Sequence, residues 1–168
     1  MTLLDAPKFD AVRERRRSLI AYSAGGLVLV LFIGAWLVAG RPVDWPWFWN
    51  DHLRGRTAMS RFLVAVEKND LSTAYGIWHN DKDWQKHPPQ SGSDTFERFE
   101  ETWSSQSPEN EYGSIQSHNI VAARRYGNGL IMAALINGRK SKALNLFYFP
   151  KTHTLDFPPP GVELNLEP

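Results

Sequence analysis

Between Ser18 and Gly40 the chain carries no charged residue, and that limits what this part of it can fold into. The run is about 23 residues long, within the range a membrane-spanning helix needs. At ~1.5 Å rise per residue it would extend roughly 34 Å, enough to cross a hydrocarbon core of ~30 Å. It reads SLIAYSAGGLVLVLFIGAWLVAG, apolar on every face rather than along one stripe. A surface helix of a soluble domain keeps a polar face, so we expect residues 18–40 to be a transmembrane helix with the lipid bilayer as its partner.

Lys8, Arg13, Arg15, Arg16 and Arg17 precede the run, whereas Arg41, Arg54 and Arg56 follow it more sparsely. The positive-inside rule then puts residues 1–17 in the cytoplasm and the rest outside. A bacterial inner membrane with a periplasmic domain is the simplest setting. A cleaved signal peptide is the competing reading, because Val38-Ala39-Gly40 loosely resembles a small-residue cleavage site. Signal cores span only ~7–15 apolar residues, and this run is longer.

Trp36, Trp45, Trp47, Phe48 and Trp49 crowd the outer end of the run. Tryptophan suits the half-wet headgroup layer, with an apolar ring and one N–H donor. Residues 41–55 therefore read as an interfacial collar in which Pro42 and Pro46 stop the helix. Packing of these rings into the folded domain, or against a neighbouring membrane helix, are the alternatives.

Residues 56–157 have the size of one compact domain. With no cysteine in the chain there is no disulfide, thiolate nucleophile or cysteine metal site. Met59, Phe62, Leu63 and Val66 share a helical face in Thr57–Asn69, and Leu71, Ala74, Tyr75 and Trp78 repeat the pattern after a capping Asp70. Residues 80–92 read as a polar surface loop. A third helix is expected from about Asp94, with Phe96, Phe99 and Trp103 on one face. Strands are expected over Tyr112–Tyr126, Leu130–Ile136, Ala143–Phe149 and His153–Phe157, with turns at Asn128-Gly129 and Asn137-Gly138. Pro158-Pro159-Pro160 ends the last strand, leaving residues 158–168 as an extended tail. The fold class is α+β: three helices bury Phe62, Trp78, Phe99 and Trp103 in the concave face of a curved antiparallel sheet.

The stretch Met59-Ser60-Arg61-Phe62-Leu63-Val64-Ala65-Val66-Glu67-Lys68-Asn69-Asp70, running into Thr73-Ala74-Tyr75-Gly76-Ile77-Trp78, resembles the opening of the nuclear-transport-factor-2-like (cystatin-like cone) superfamily. Phe96-Glu97-Arg98-Phe99, Trp103 and Tyr112-Gly113-Ser114-Ile115 continue the resemblance, which spans roughly residues 56–157. It implies a cone-shaped domain. Its members include pocket enzymes such as ketosteroid isomerases and dehydratases. They also include non-enzymatic modules, among them an inner-membrane assembly factor of type IV secretion systems with a similar plan. The Asn-Pro-x-Gly turn of that factor is missing here.

Cone-type isomerases use a carboxylate base with a hydrogen-bond donor for the oxyanion. From Gly113 to Leu155 this chain has no Asp or Glu. Asp156, His118 and Tyr75 are the catalytic candidates that remain, each with a plainer reading as a surface or packing residue. His79, Asp81, Asp83 and His87 crowd one loop, but the glycine and closing glutamate of a calcium loop are missing, so no metal is expected. No cofactor motif occurs. Arg124, Arg125, Arg139 and Lys140 lie in this acid-free segment and form a candidate face for an anionic partner. Nucleic acid is not expected of an outward-facing domain with net charge +1. The expected role is a non-enzymatic accessory or scaffolding subunit of a larger envelope complex, with a small-molecule or isomerase-like pocket protein as the alternative.

Overall fold

The computed structural model describes residues 11–87, 95–139 and 141–164 of the chain. The chain divides into two compact units, residues 1–41 and 42–168.

The first unit holds one helix, α1 (Ala11–Val38). It begins inside the basic cluster, so Arg15, Arg16 and Arg17 form its exposed early turns. None of its residues is buried. By length and composition it suffices to cross a membrane or to act as a signal sequence.

In the second unit a 3-10 turn (Pro46–Phe48) leads into α2 (Trp49–Glu67), α3 (Leu71–Trp78) and α4 (Phe96–Trp103). Strands β1 (His118–Tyr126), β2 (Gly129–Ile136), β3 (Ala143–Phe149) and β4 (Thr154–Asp156) follow. They form one antiparallel meander in the order β1-β2-β3-β4. The α+β class is thus as expected. Val121 is an extra residue in β1, since Ile120 pairs with Ala134 and Ala122 with Ala133. Such a bulge bends the strand and increases its twist.

α2 starts eight residues before the expected Thr57. Pro46 does not act as the expected stop, because proline fits the first turn of a helix, where its missing N–H has no intrahelical acceptor anyway. Residues 49–55 of the expected collar are therefore helix, with His52 and Gly55 buried. Asp70 caps α3 by accepting the Thr73 N–H at 3.1 Å, and these hydrogen bonds hold its carboxyl below the ordinary range. Thr95 caps α4 through Arg98 N–H at 3.4 Å. The expected start at Asp94 lies outside the described residues.

The strand expected from Tyr112 begins only at His118, because side chains take up the backbone ahead of it. Buried Asn110 donates to the carbonyls of Trp103, Ser104 and Gly113 and accepts from the N–H groups of Tyr112 and Gly113. Asn137, at positive φ in its turn, accepts from the Gln116 and Ser117 N–H groups and donates to the Ser114 carbonyl. The first hairpin closes at Gly127-Asn128, with Gly127 at φ +55°, and Gly129 opens β2 opposite Tyr126. The expected turn was one residue late.

The helices cover one face of the sheet. Phe62 is fully buried and lies against Trp78 at 5.2 Å, Trp103 at 4.8 Å and Phe99 at 6.2 Å between ring centroids. Burying one such ring contributes about 1.5–3 kcal/mol. α2 approaches the sheet closely at Gly55, where an added Cβ would stand 3.0 Å from Leu130 and 3.1 Å from Tyr148. After β4, Phe157 stacks on Trp103 at 5.8 Å, and Asn145 accepts the Leu164 N–H at 3.1 Å. The start of the tail is thereby fixed to the domain; residues 165–168 lie outside the described residues.

Two substitutions test this packing by thermal or urea unfolding of the full chain in mild detergent. Gly55→Val should cost about 1–3 kcal/mol by overpacking the helix–sheet contact. Asn110→Ala should cost about 2 kcal/mol or more, because it strips partners from several backbone groups at once.

Candidate functional site

Ser60 and Glu67 stand seven residues apart on α2 and so face the same way, toward His118 on β1. His118 Nδ1 lies 2.7 Å from Glu67 Oε1, and its Nε2 lies 3.2 Å from Ser60 Oγ. A carboxylate, an imidazole and a hydroxyl in this order match the connectivity of a nucleophilic triad. Among the described residues the surroundings do not complete one. Ser60 sits in the helix interior, where the backbone N–H groups that would form an oxyanion hole are committed to the helix ladder. None of the three residues lines either of the two grooves described below. Their contacts tie α2 to the edge strand. The sequence offered His118 as a candidate without its partners; the structure brings Ser60 and Glu67 to it.

A groove of about 1010 Å³ opens between α2, α3, the loop after α3 and the β3–β4 turn. Three contacts build its walls. Asn80, at φ +52° after α3, donates to the Thr152 carbonyl at 3.1 Å and so holds the β3–β4 turn. The Trp84 indole donates to the Ser72 carbonyl at 3.1 Å. The loop returns so tightly that an added Cβ on Gly76 would stand 2.8 Å from the Asp81 carbonyl oxygen. Arg54 and Arg61, again seven residues apart on α2, line one side together with Lys82 from the loop. His153 faces them and bonds the Tyr148 hydroxyl at 2.7 Å. Burial, opposed by nearby Arg54, pushes the Tyr148 hydroxyl above the usual tyrosine value. Leu53, Ile77 and Trp84 supply apolar wall, and no carboxylate among the described residues lines the groove.

A second groove of about 680 Å³ lies between α4, the start of β3 and the tail. Glu109, Glu111, Glu163 and Lys142 line it, and Lys142 pairs with Glu111 at 2.5 Å. Burial and the neighbouring Glu111 and Glu163 raise the Tyr112 hydroxyl there.

The other sequence candidates are dispersed. Asp156 is exposed on β4 and His118 is on β1, so they occupy opposite edges of the sheet. Tyr75 is buried among Trp84, Phe96 and Phe99. Arg124 and Arg125 sit beside the β1–β2 turn, whereas Arg139 follows Ile136 at the far end of β2. Adjacent Arg124 and Arg125 also point to opposite faces. Arg125 is occupied, 3.8 Å from Asp51 and 3.8 Å over the Phe48 ring. Lys140 lies outside the described residues. Asp81 pairs with His87 at 3.0 Å and Asp83 with Lys86 at 2.9 Å. No cluster of three metal-ligating side chains occurs among the described residues.

The aromatic collar divides. Trp45 and Trp47 stack at 5.0 Å and are 67% and 68% exposed. Phe48 and Trp49 are held by neighbours in the same unit: Phe48 lies under Arg125, and the Trp49 indole donates to the Asp44 carbonyl at 3.0 Å. The Asp44 side chain in turn meets buried His52 at 2.7 Å. Trp36 lies on α1 in the other unit.

No protein-family model, curated protein or solved structure matches this chain.

A double-mutant cycle checks the tie between α2 and β1. Glu67→Gln and His118→Phe should each destabilise the full chain, with a coupling of about 0.5–3 kcal/mol between them. Additive losses in the unfolding curves would mean that the two side chains stabilise the domain separately.

Proposed function

We propose that this chain is a single-pass protein of a bacterial inner membrane, with its N-terminus in the cytoplasm and residues 42–168 in the periplasm. It serves as a non-enzymatic accessory or scaffolding subunit of a larger envelope complex. The observation that carries the reading is the bare surface of α1, where Leu19, Leu27, Val30 and Leu31 are each about three-fifths exposed or more. Apolar surface of this extent needs a cover, and lipid fits its length and its lack of a polar face. The basic residues before the apolar run support the orientation. The exposed Trp45–Trp47 stack suits a headgroup layer or a neighbouring subunit. Cone-superfamily membership, as a non-catalytic representative, is part of the same proposal.

The acid-free groove beside α3 favours a second reading, in which the domain binds a small molecule. It does not favour an isomerase, since His118 and Asp156 line neither groove.

Alkaline carbonate extraction should leave the full chain in the membrane pellet, and protease added to spheroplasts should degrade the C-terminal domain. Leu29→Arg with Ile33→Arg should release the chain to the soluble fraction, as each arginine costs about 2.5–3.5 kcal/mol at the centre of a span. A soluble mature chain starting at or after residue 41 would overturn the anchor. Solubilised at its native level in mild detergent, the protein should migrate with larger partners; a lone monomer would remove the accessory role.

A further inference from the structure

Acidic side chains near the groove beside α3 are already engaged, while three of its cations are not. Asp51 faces Arg125, Asp81 holds His87, and Asp83 holds Lys86. Arg54, Arg61 and Lys82 line the groove, and none forms an ion pair among the described residues. The two arginines stand two helical turns apart, about 10 Å along α2. Their side chains are long enough to converge on an anion between them. Three like charges around one concavity repel each other, and a bound anion relieves that repulsion.

The remaining surface narrows the kind of anion. Ile77 and the Trp84 ring offer an apolar wall, and Trp84 is held in place by its bond to Ser72 and by stacking on Phe96 at 4.9 Å. Pairing of a cationic side with a fixed aromatic wall suits a ligand with a charged head and an apolar body. Arginine favours phosphate because its planar fork matches the phosphate oxygens.

We propose that this groove binds an organic phosphate: its head is clamped by Arg54, Arg61 and Lys82, and its apolar body lies on Ile77 and Trp84. Such a group comes either from a phospholipid headgroup or from a soluble phosphate ester. The proposal does not rest on the membrane anchor, so carbonate extraction and ligand binding can fail separately.

The test is titration of the full chain in mild detergent, followed by tryptophan fluorescence and calorimetry. The probes are naphthyl phosphate, naphthol, inorganic phosphate and short-chain phosphatidylglycerol. Naphthyl phosphate should bind saturably, at least tenfold tighter than naphthol or inorganic phosphate, and more weakly as salt rises. Arg54→Gln and Arg61→Gln should each weaken it about tenfold, in line with the strength of a charge-assisted bond. Arg139→Gln, outside the groove, should leave binding unchanged. Competition by phosphatidylglycerol assigns the site to lipid; naphthyl phosphate binding without that competition assigns it to a soluble ester. Equal affinity for naphthol and naphthyl phosphate in the unsubstituted chain would overturn the proposal, whatever the variants do. So would unchanged affinity in the Arg54→Gln/Arg61→Gln double variant.

Discussion

The seating of α2 on the sheet is the contact on which the rest of the domain depends. Gly55 lets the helix approach Leu130, Tyr148 and Met132 closely enough that an extra carbon would crowd all three. Farther along the same helix Phe62 enters the ring cluster of Trp78, Phe99 and Trp103, so α3 and α4 are packed through α2. The Glu67–His118 bond then fixes the C-terminal part of the helix to β1. One helix thereby meets the sheet at its middle strands, at its edge strand and at the aromatic core.

That placement also decides where charge accumulates. With one face of α2 buried against the sheet, Arg54 and Arg61 are left on the outer face, beside α3. The loop after α3 is pulled back by the close pass at Gly76 and by the Asn80–Thr152 bond, and this brings Lys82 to the same concavity. Nearby carboxylates take other partners. A positive groove with an aromatic wall results from backbone placement more than from local composition, since residues 51–111 hold more acids than bases.

Much of the architecture could be read in advance because burial leaves a periodic trace. Met59, Phe62, Leu63 and Val66, then Leu71, Ala74, Tyr75 and Trp78, follow the helical repeat and are all buried. Runs of apolar residues between Asn-Gly pairs anticipated the meander. Boundaries were harder. Pro46 can end a helix or begin one, and only the chain ahead of it tells which. Residues 112–117 have strand-like composition, yet two asparagine side chains hold their backbone outside the ladder. Site residues were harder still. Ser60 with Glu67, and Arg54 with Arg61, each share a helical face, but a shared face does not say which residue on a distant strand or turn lies opposite.

The sequence by itself determined the uncharged 18–40 run, the helical and strand repeats and the lack of acid in the sheet segment, because these are properties of neighbours along the chain. Tertiary structure alone decided that His118 meets Glu67 and that Arg125 lies beside Asp51, while Arg54, Arg61 and Lys82 gather around one groove without an ion pair among the described residues. The physical reason is range. Hydrophobic periodicity acts over a few residues, whereas an ion pair or a groove joins positions dozens of residues apart, and only folding sets their distance.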